Sequence, residues 1–102
     1  MVCLASLVSC GVGPAEEQFT TMPGINGTMP TDSYSGYLDV GNNKALHYVF
    51  VESERDPTND PIVIWFNGGP GCSSLLGFFQ ENGPFAIDDG ESWVKRNPHP
   101  WN

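Results

Sequence analysis

Residues 61–66, Pro-Ile-Val-Ile-Trp-Phe, form a continuous apolar run with no polar alternation. A strand covered on both faces reads this way, as in a parallel sheet sandwiched by helices. Two earlier segments read differently. Residues 34–40 and 45–53 are strand-like, and in the second Leu46, Tyr48 and Phe50 alternate with His47, Val49 and Val51. Gly41-Asn42-Asn43-Lys44 between them is a good hairpin turn, so the two should pair antiparallel. A polar loop, 54–60, then leads into the apolar run, making it the third strand. Beyond it, Leu75, Leu76, Phe78 and Phe79 recur at helical spacing. The pattern predicts a helix over 73–82, with Ser73 or Ser74 as its cap and Glu81 in its last turn. Asn82-Gly83-Pro84 is a strong stop, because Gly accepts a left-handed cap and Pro cannot continue the helix.

The chemistry lies in the turn joining the third strand to the helix, Asn67-Gly68-Gly69-Pro70-Gly71-Cys72-Ser73-Ser74. Such a turn leaves backbone N–H groups open at a helix start, where negative charge is stabilised. A phosphate is one candidate anion. Walker loops require Lys-Ser/Thr after the glycines, and dinucleotide loops require G-x-G-x-x-G. Here Ser74 stands where the third Gly belongs, Pro70 removes a donor, and no Lys or Arg lies between Arg55 and Lys95. A nucleophile elbow, G-x-S-x-G, is the second candidate, and the closing Gly is missing. An oxyanion hole fits best: in α/β-hydrolases one donor comes from the loop after the third strand. The fold class is therefore α/β, the amino-terminal part of an α/β-hydrolase: hairpin, buried third strand, oxyanion turn, short helix.

The residues around this turn resemble the serine carboxypeptidases, particularly the carboxypeptidase Y type. The matching segments are Tyr34-Ser35-Gly36-Tyr37-Leu38-Asp39-Val40, Phe50-Val51-Glu52-Ser53, and the run from Trp65 to Ser74. Glu81-Asn82-Gly83-Pro84-Phe85 and Asn97-Pro98-His99-Pro100-Trp101-Asn102 extend the match, which covers nearly everything after Pro23. The resemblance implies that the Gly69 N–H is an oxyanion-hole donor and that Asn67, with Gly68, binds the substrate's terminal carboxylate. It implies that Glu81 shares in that recognition, that Trp65 belongs to the same hydrogen-bond network, and that Cys72 pairs with a distant cysteine. A glutamate beside a substrate carboxylate would repel it if both were ionised. The pair therefore shares a proton, and its apparent pKa rises. In the family the catalytic triad lies downstream of Asn102. No G-x-S-x-G occurs here, and neither His47, in a strand, nor His99, between two prolines, has a serine-and-acid context. The chain is accordingly expected to be the amino-terminal piece of a larger enzyme, inactive alone.

Charge narrows the partners. With 4 basic against 12 acidic residues the formal charge is −8, which disfavours nucleic acid. The scattered cysteines and histidines give no metal spacing, and no cofactor is implied. Residues 1–15 are apolar, small and uncharged. They resemble a secretory signal without a basic start, too short to span a membrane; Leu7-Val8-Ser9-Cys10 is alternatively a lipoprotein box. Removal of this leader takes away Cys3 and Cys10 and leaves Cys72 odd, which calls for a partner elsewhere. Residues 16–33 read as an extended arm carrying Asn26-Gly27-Thr28, a glycosylation triplet. The incomplete domain spans 34–102. The expected activity is removal of residues from peptide carboxyl ends by acyl-enzyme chemistry, in a vacuole, a lysosome or outside the cell. The alternatives are an acyltransferase of the same family and a non-catalytic relative that keeps the scaffold.

Overall fold

The computed structural model describes residues 14–87, 90 and 94–102. The expected leader falls almost wholly outside them, as do Asp88, Asp89 and Glu91. The described structure opens on a 3-10 turn, Ala15–Glu17, followed by β1 (Gln18–Phe19), β2 (Ser33–Asp39) and β3 (Ala45–Val51). A helical segment begins as α1 (Leu75–Gly77) and widens into a π-type turn, Phe78–Asn82. β4 (Phe85–Ile87) and β5 (Val94–Arg96) close the described structure.

β2 and β3 pair antiparallel from Ser33↔Val51 to Asp39↔Ala45, as their pattern predicts. The hairpin turn explains the register. Asn42 and Asn43 both take φ 54°, a left-handed conformation that Asn tolerates better than most residues. The Val40 N–H donates to Lys44 O at 3.0 Å and the Lys44 N–H to Gly41 O at 3.0 Å. β1 adds to the other edge of β2, with Gln18 opposite Tyr34, so the segment read as an arm is joined to the sheet. Tyr48 donates its hydroxyl proton to the Glu17 carboxylate. Gly36 leaves the space for that carboxylate, since a Cβ there would overlap it. Burial, with Glu17 adding to it, pushes the Tyr48 hydroxyl up to about 12.

The core is small. Among the described residues Tyr34 and Met29 are the buried hydrophobic side chains, and the Tyr34 ring stacks on Phe50 at 6.1 Å. Polar contacts carry much of the rest. Arg55 and Asp60 form an ion pair across the 54–60 loop. The Arg55 hydrogen bond, helped by Ser53, holds the Asp60 carboxyl down at about 2. Asn97 donates to Gly83 O at 2.8 Å and to Glu81 O at 3.2 Å. The Trp101 N–H donates to Asn82 O at 3.0 Å, and Asn102 Nδ2 reaches back to Glu52 O at 3.2 Å.

Two expectations are corrected. Residues 61–66 are not a strand and are not buried. They run without ladder pairing, and Ile62, Ile64 and Phe66 are 75%, 69% and 78% exposed. The reason is that a strand apolar on both faces needs neighbours on both edges and cover on both faces, and no described element supplies them. The helix expected over 73–82 spans 75–82 instead, in two geometries. It ends as expected at Gly83, which is extended (φ −73°, ψ 172°) rather than left-handed.

Glu52 has a buried side chain, with Oε1 lacking a partner among the described residues. Burial raises its pKa above the ordinary 4.5, and nearby Asp32 adds to the rise. The folded state thus binds this proton more tightly than the unfolded state. The contribution to stability is full below the unfolded value and is lost as pH rises through the elevated one. Glu52→Gln should gain stability relative to wild type between pH 4 and pH 7, as read by urea unfolding at both; an unchanged difference would contradict this. The exposed run predicts self-association of the isolated chain through an unpaired edge. Ile64→Lys should shift its sedimentation toward monomer.

Candidate functional site

Asn67 sits where the extended segment enters the glycine turn. Its side-chain oxygen accepts two hydrogen bonds, from the Trp65 indole N–H at 2.9 Å and from the Gly77 backbone N–H at 3.1 Å. Its own backbone N–H donates to Ser74 Oγ at 3.1 Å. Three elements therefore meet at one side chain: the extended segment, the turn and the start of the helix. Because both neighbours are pure donors, they fix which end of the carboxamide is oxygen. The NH2 end has no partner among the described residues and is the group left to offer a ligand. Trp65 is braced in turn by Trp101, ring edge to ring face, with centroids 5.4 Å apart.

The turn itself is open. Gly68, Gly69 and Gly71 are exposed, and their N–H groups enter no backbone hydrogen bond among the described residues. Gly69 takes φ 146°, and a Cβ there would stand 2.9 Å from Gly71 N and 3.1 Å from Cys72 N. Only glycine fits that crowded, left-handed position. The turn can therefore present N–H donors to an oxyanion while Pro70 contributes none.

Of the two serines, Ser73 takes the expected role: its Oγ accepts the Leu75 N–H at 3.2 Å at the helix start. Ser74 occupies the N-cap position without a side-chain capping bond; its hydroxyl receives the Asn67 N–H instead. Glu81 lies at the helix end with its side chain exposed. Its backbone carbonyl serves Asn97, while its carboxylate makes no hydrogen bond among the described residues. The structure thus joins Trp65, Asn67, Ser74 and Gly77 directly and leaves Glu81 outside that network. Cys72 is an exposed free thiol, and Asn26 is exposed in the segment before β2. His47 is exposed on β3 beside Ser35, Nε2 to Oγ 3.0 Å, and His99 is in a loop. A depression of about 520 Å³ is lined by Trp65, Phe78, Trp101 and Glu52, among others. It lies beside the glycine turn and includes neither Asn67 nor Gly69.

Sequence reasoning missed Gly77, Ser74 as the partner of Asn67, and Trp101. A glycine inside a helical pattern was the available signal for the first.

A strand hairpin, an open glycine turn and a helical segment, in this order, suit the amino-terminal end of an α/β-hydrolase. The serine carboxypeptidase family model matches residues 23–102, and the chain belongs to that family of α/β-hydrolases. It is similar to the lysosomal protective protein of Mus musculus, 45% identical over 89 residues, covering 87% of this chain and 19% of the mouse protein. Serine carboxypeptidase 1 of Hordeum vulgare is 46% identical over 97 residues, covering 87% of this chain and 19% of the barley protein. Carboxypeptidase Y of Schizosaccharomyces pombe is 54% identical over 69 residues, covering 68% of this chain and 7% of the yeast protein. The chain spans about a fifth of the length of the first two relatives.

Asn67→Asp keeps an acceptor for Trp65 and Gly77 but loses the NH2 group, whereas Asn67→Leu loses both. The Trp65 indole N–H should stay protected from hydrogen exchange in the first variant and lose protection in the second. Proton–nitrogen spectra of the labelled protein would show equal protection in both if the bond to Asn67 were not the cause.

Proposed function

We propose that this chain is the amino-terminal part of a serine carboxypeptidase, supplying the oxyanion donor and the carboxylate-recognition groups of an enzyme that trims peptides from their carboxyl ends. The observation that carries the reading is the Asn67 carboxamide beside the open Gly68–Gly69 turn, its oxygen occupied by two donors and its NH2 without a partner among the described residues. A neutral donor at that place distinguishes a terminal carboxylate from an internal peptide bond. Gly69 contributes its N–H to the oxyanion, and the nucleophile, base and acid come from sequence beyond this chain. Glu81, at the end of the helical segment, completes the recognition of the bound carboxylate. Membership of the family supports peptidase chemistry. The open turn supports the oxyanion role.

The remainder of the enzyme is the principal partner, and Cys72, exposed and unpaired among the described residues, joins a cysteine there. A secretory route to a vacuole, a lysosome or the exterior accords with a lysosomal relative by name and with the exposed Asn26 triplet as an attachment site. Among the described residues no helix is long and apolar enough to cross a membrane. An acyltransferase of the same family would use the same oxyanion turn. The free carboxamide favours a substrate with a carboxylate end.

The test separates carboxylate recognition from bond cleavage in the full-length enzyme. Asn67→Ala should lower kcat/KM for peptides about tenfold or more, the worth of a charge-assisted hydrogen bond, and spare esters with blocked carboxyl ends. Glu81→Gln keeps the side chain's size but loses its charge, and should change peptide hydrolysis more than ester hydrolysis. Equal losses on both substrates in both variants would overturn the reading. The isolated chain should hydrolyse neither substrate.

A further inference from the structure

Gly77 is the second residue to hold the Asn67 oxygen, and its own identity is unexplained by its backbone. It has φ −61° and ψ −38°, ordinary right-handed helix, where alanine is the better former. Neither a turn nor a left-handed angle requires glycine there. Space does. Gly77 is buried, and a Cβ on it would overlap Trp65 Nε1 while standing 2.8 Å from Cδ1 and 2.9 Å from Cε2 of the same indole. The overlapped atom is the one that donates to Asn67.

The indole is bounded on one side, where it meets the Trp101 ring at 88°; the Trp101 backbone is tied by its N–H to Asn82 O at 3.0 Å. Displacing Trp65 would therefore either break its bond to Asn67 or push against Trp101. Gly77 thus acts twice on the same carboxamide: its N–H binds the oxygen, and its missing side chain lets the indole bind the oxygen too. With both donors in place, a flipped carboxamide would set its NH2 against two N–H groups.

We infer that Gly77 is a positioning residue for carboxylate recognition, acting through Trp65 to hold the Asn67 NH2 group toward the substrate's carboxyl end. This rests on the reading of Asn67 given above, and it adds a residue outside the glycine turn to the specificity of the site. It touches no substrate itself.

The experiment is a double-mutant cycle in the full-length peptidase that carries this segment, comparing peptides with esters whose carboxyl ends are blocked. Gly77→Ala should lower peptide kcat/KM about tenfold, mainly through KM, with ester hydrolysis kept; one lost hydrogen bond to a group that binds charge is of this size. Trp65→Ala removes the whole overlapped ring, so adding Gly77→Ala to it should cost nothing further on peptides. Additive losses, or equal losses on peptide and ester, would overturn the inference. Should Gly77→Ala alone fail to fold, the double variant decides: it must fold and match Trp65→Ala, and its failure to do so also overturns the inference. Asn67→Ala separates the two levels. If it lowers peptide and ester alike, the carboxylate reading itself fails. If it is selective while Gly77→Ala leaves the peptide-to-ester ratio unchanged, only the role of Gly77 is lost.

Discussion

One carboxamide oxygen ties together the elements around the glycine turn. Asn67 Oδ1 receives an indole N–H from the extended segment before it and a backbone N–H from the helix after it. Without that double acceptor, the glycine turn would have no fixed relation to either flank. The turn contributes little rigidity of its own, since the Gly68, Gly69 and Gly71 N–H groups make no backbone hydrogen bond among the described residues. Ser74 adds a third tie through the Asn67 backbone. The same economy explains why so short a helical segment persists. Three α residues and a π-type turn are below the length at which a helix is stable by itself, so contacts at its first and last residues must hold it.

The rest of the structure divides into a sheet whose strands pair with one another and an apolar segment without ladder pairing. Tyr34 is buried on β2 and Met29 just before it, while Tyr37, Leu38 and Leu46 are exposed. Residues 61–66 expose large side chains over their whole length. Buried area drives folding, and this chain leaves much of its apolar surface unused. A domain that completes the sheet would cover the side chains that are now exposed.

The legible parts of the sequence were those decided locally. Asn42 and Asn43 announced the hairpin, and the alternation of residues 45–51 fixed its partner. Asn82-Gly83-Pro84 ended the helix where expected. The glycine turn was legible as a turn because its residue types are set by backbone geometry, as the angle at Gly69 bears out. What could not be read depended on distant partners. The pattern of residues 61–66 states what environment the segment requires, not whether that environment is present. Ser73 and Ser74 look equivalent in a helix-start pattern, and only the fold shows that Ser74 is taken by Asn67. Gly77 resembled a weak point in a helix; its reason lies twelve residues earlier, in an indole. β4 and β5 are three residues each, too short for periodicity to register.

The bond from Asn102 to Glu52 O spans fifty positions and, with Trp101 on Trp65, clasps the glycine turn inside one long loop. Closing a loop of that size is entropically slow compared with forming the hairpin. On a ribosome the order is stricter still. The hairpin can form as soon as Val51 emerges, but Trp65 must wait for thirty-six more residues before its brace exists. Throughout that interval the apolar segment and the unset carboxamide are exposed together, which makes this stretch of nascent chain prone to aggregation until its brace forms.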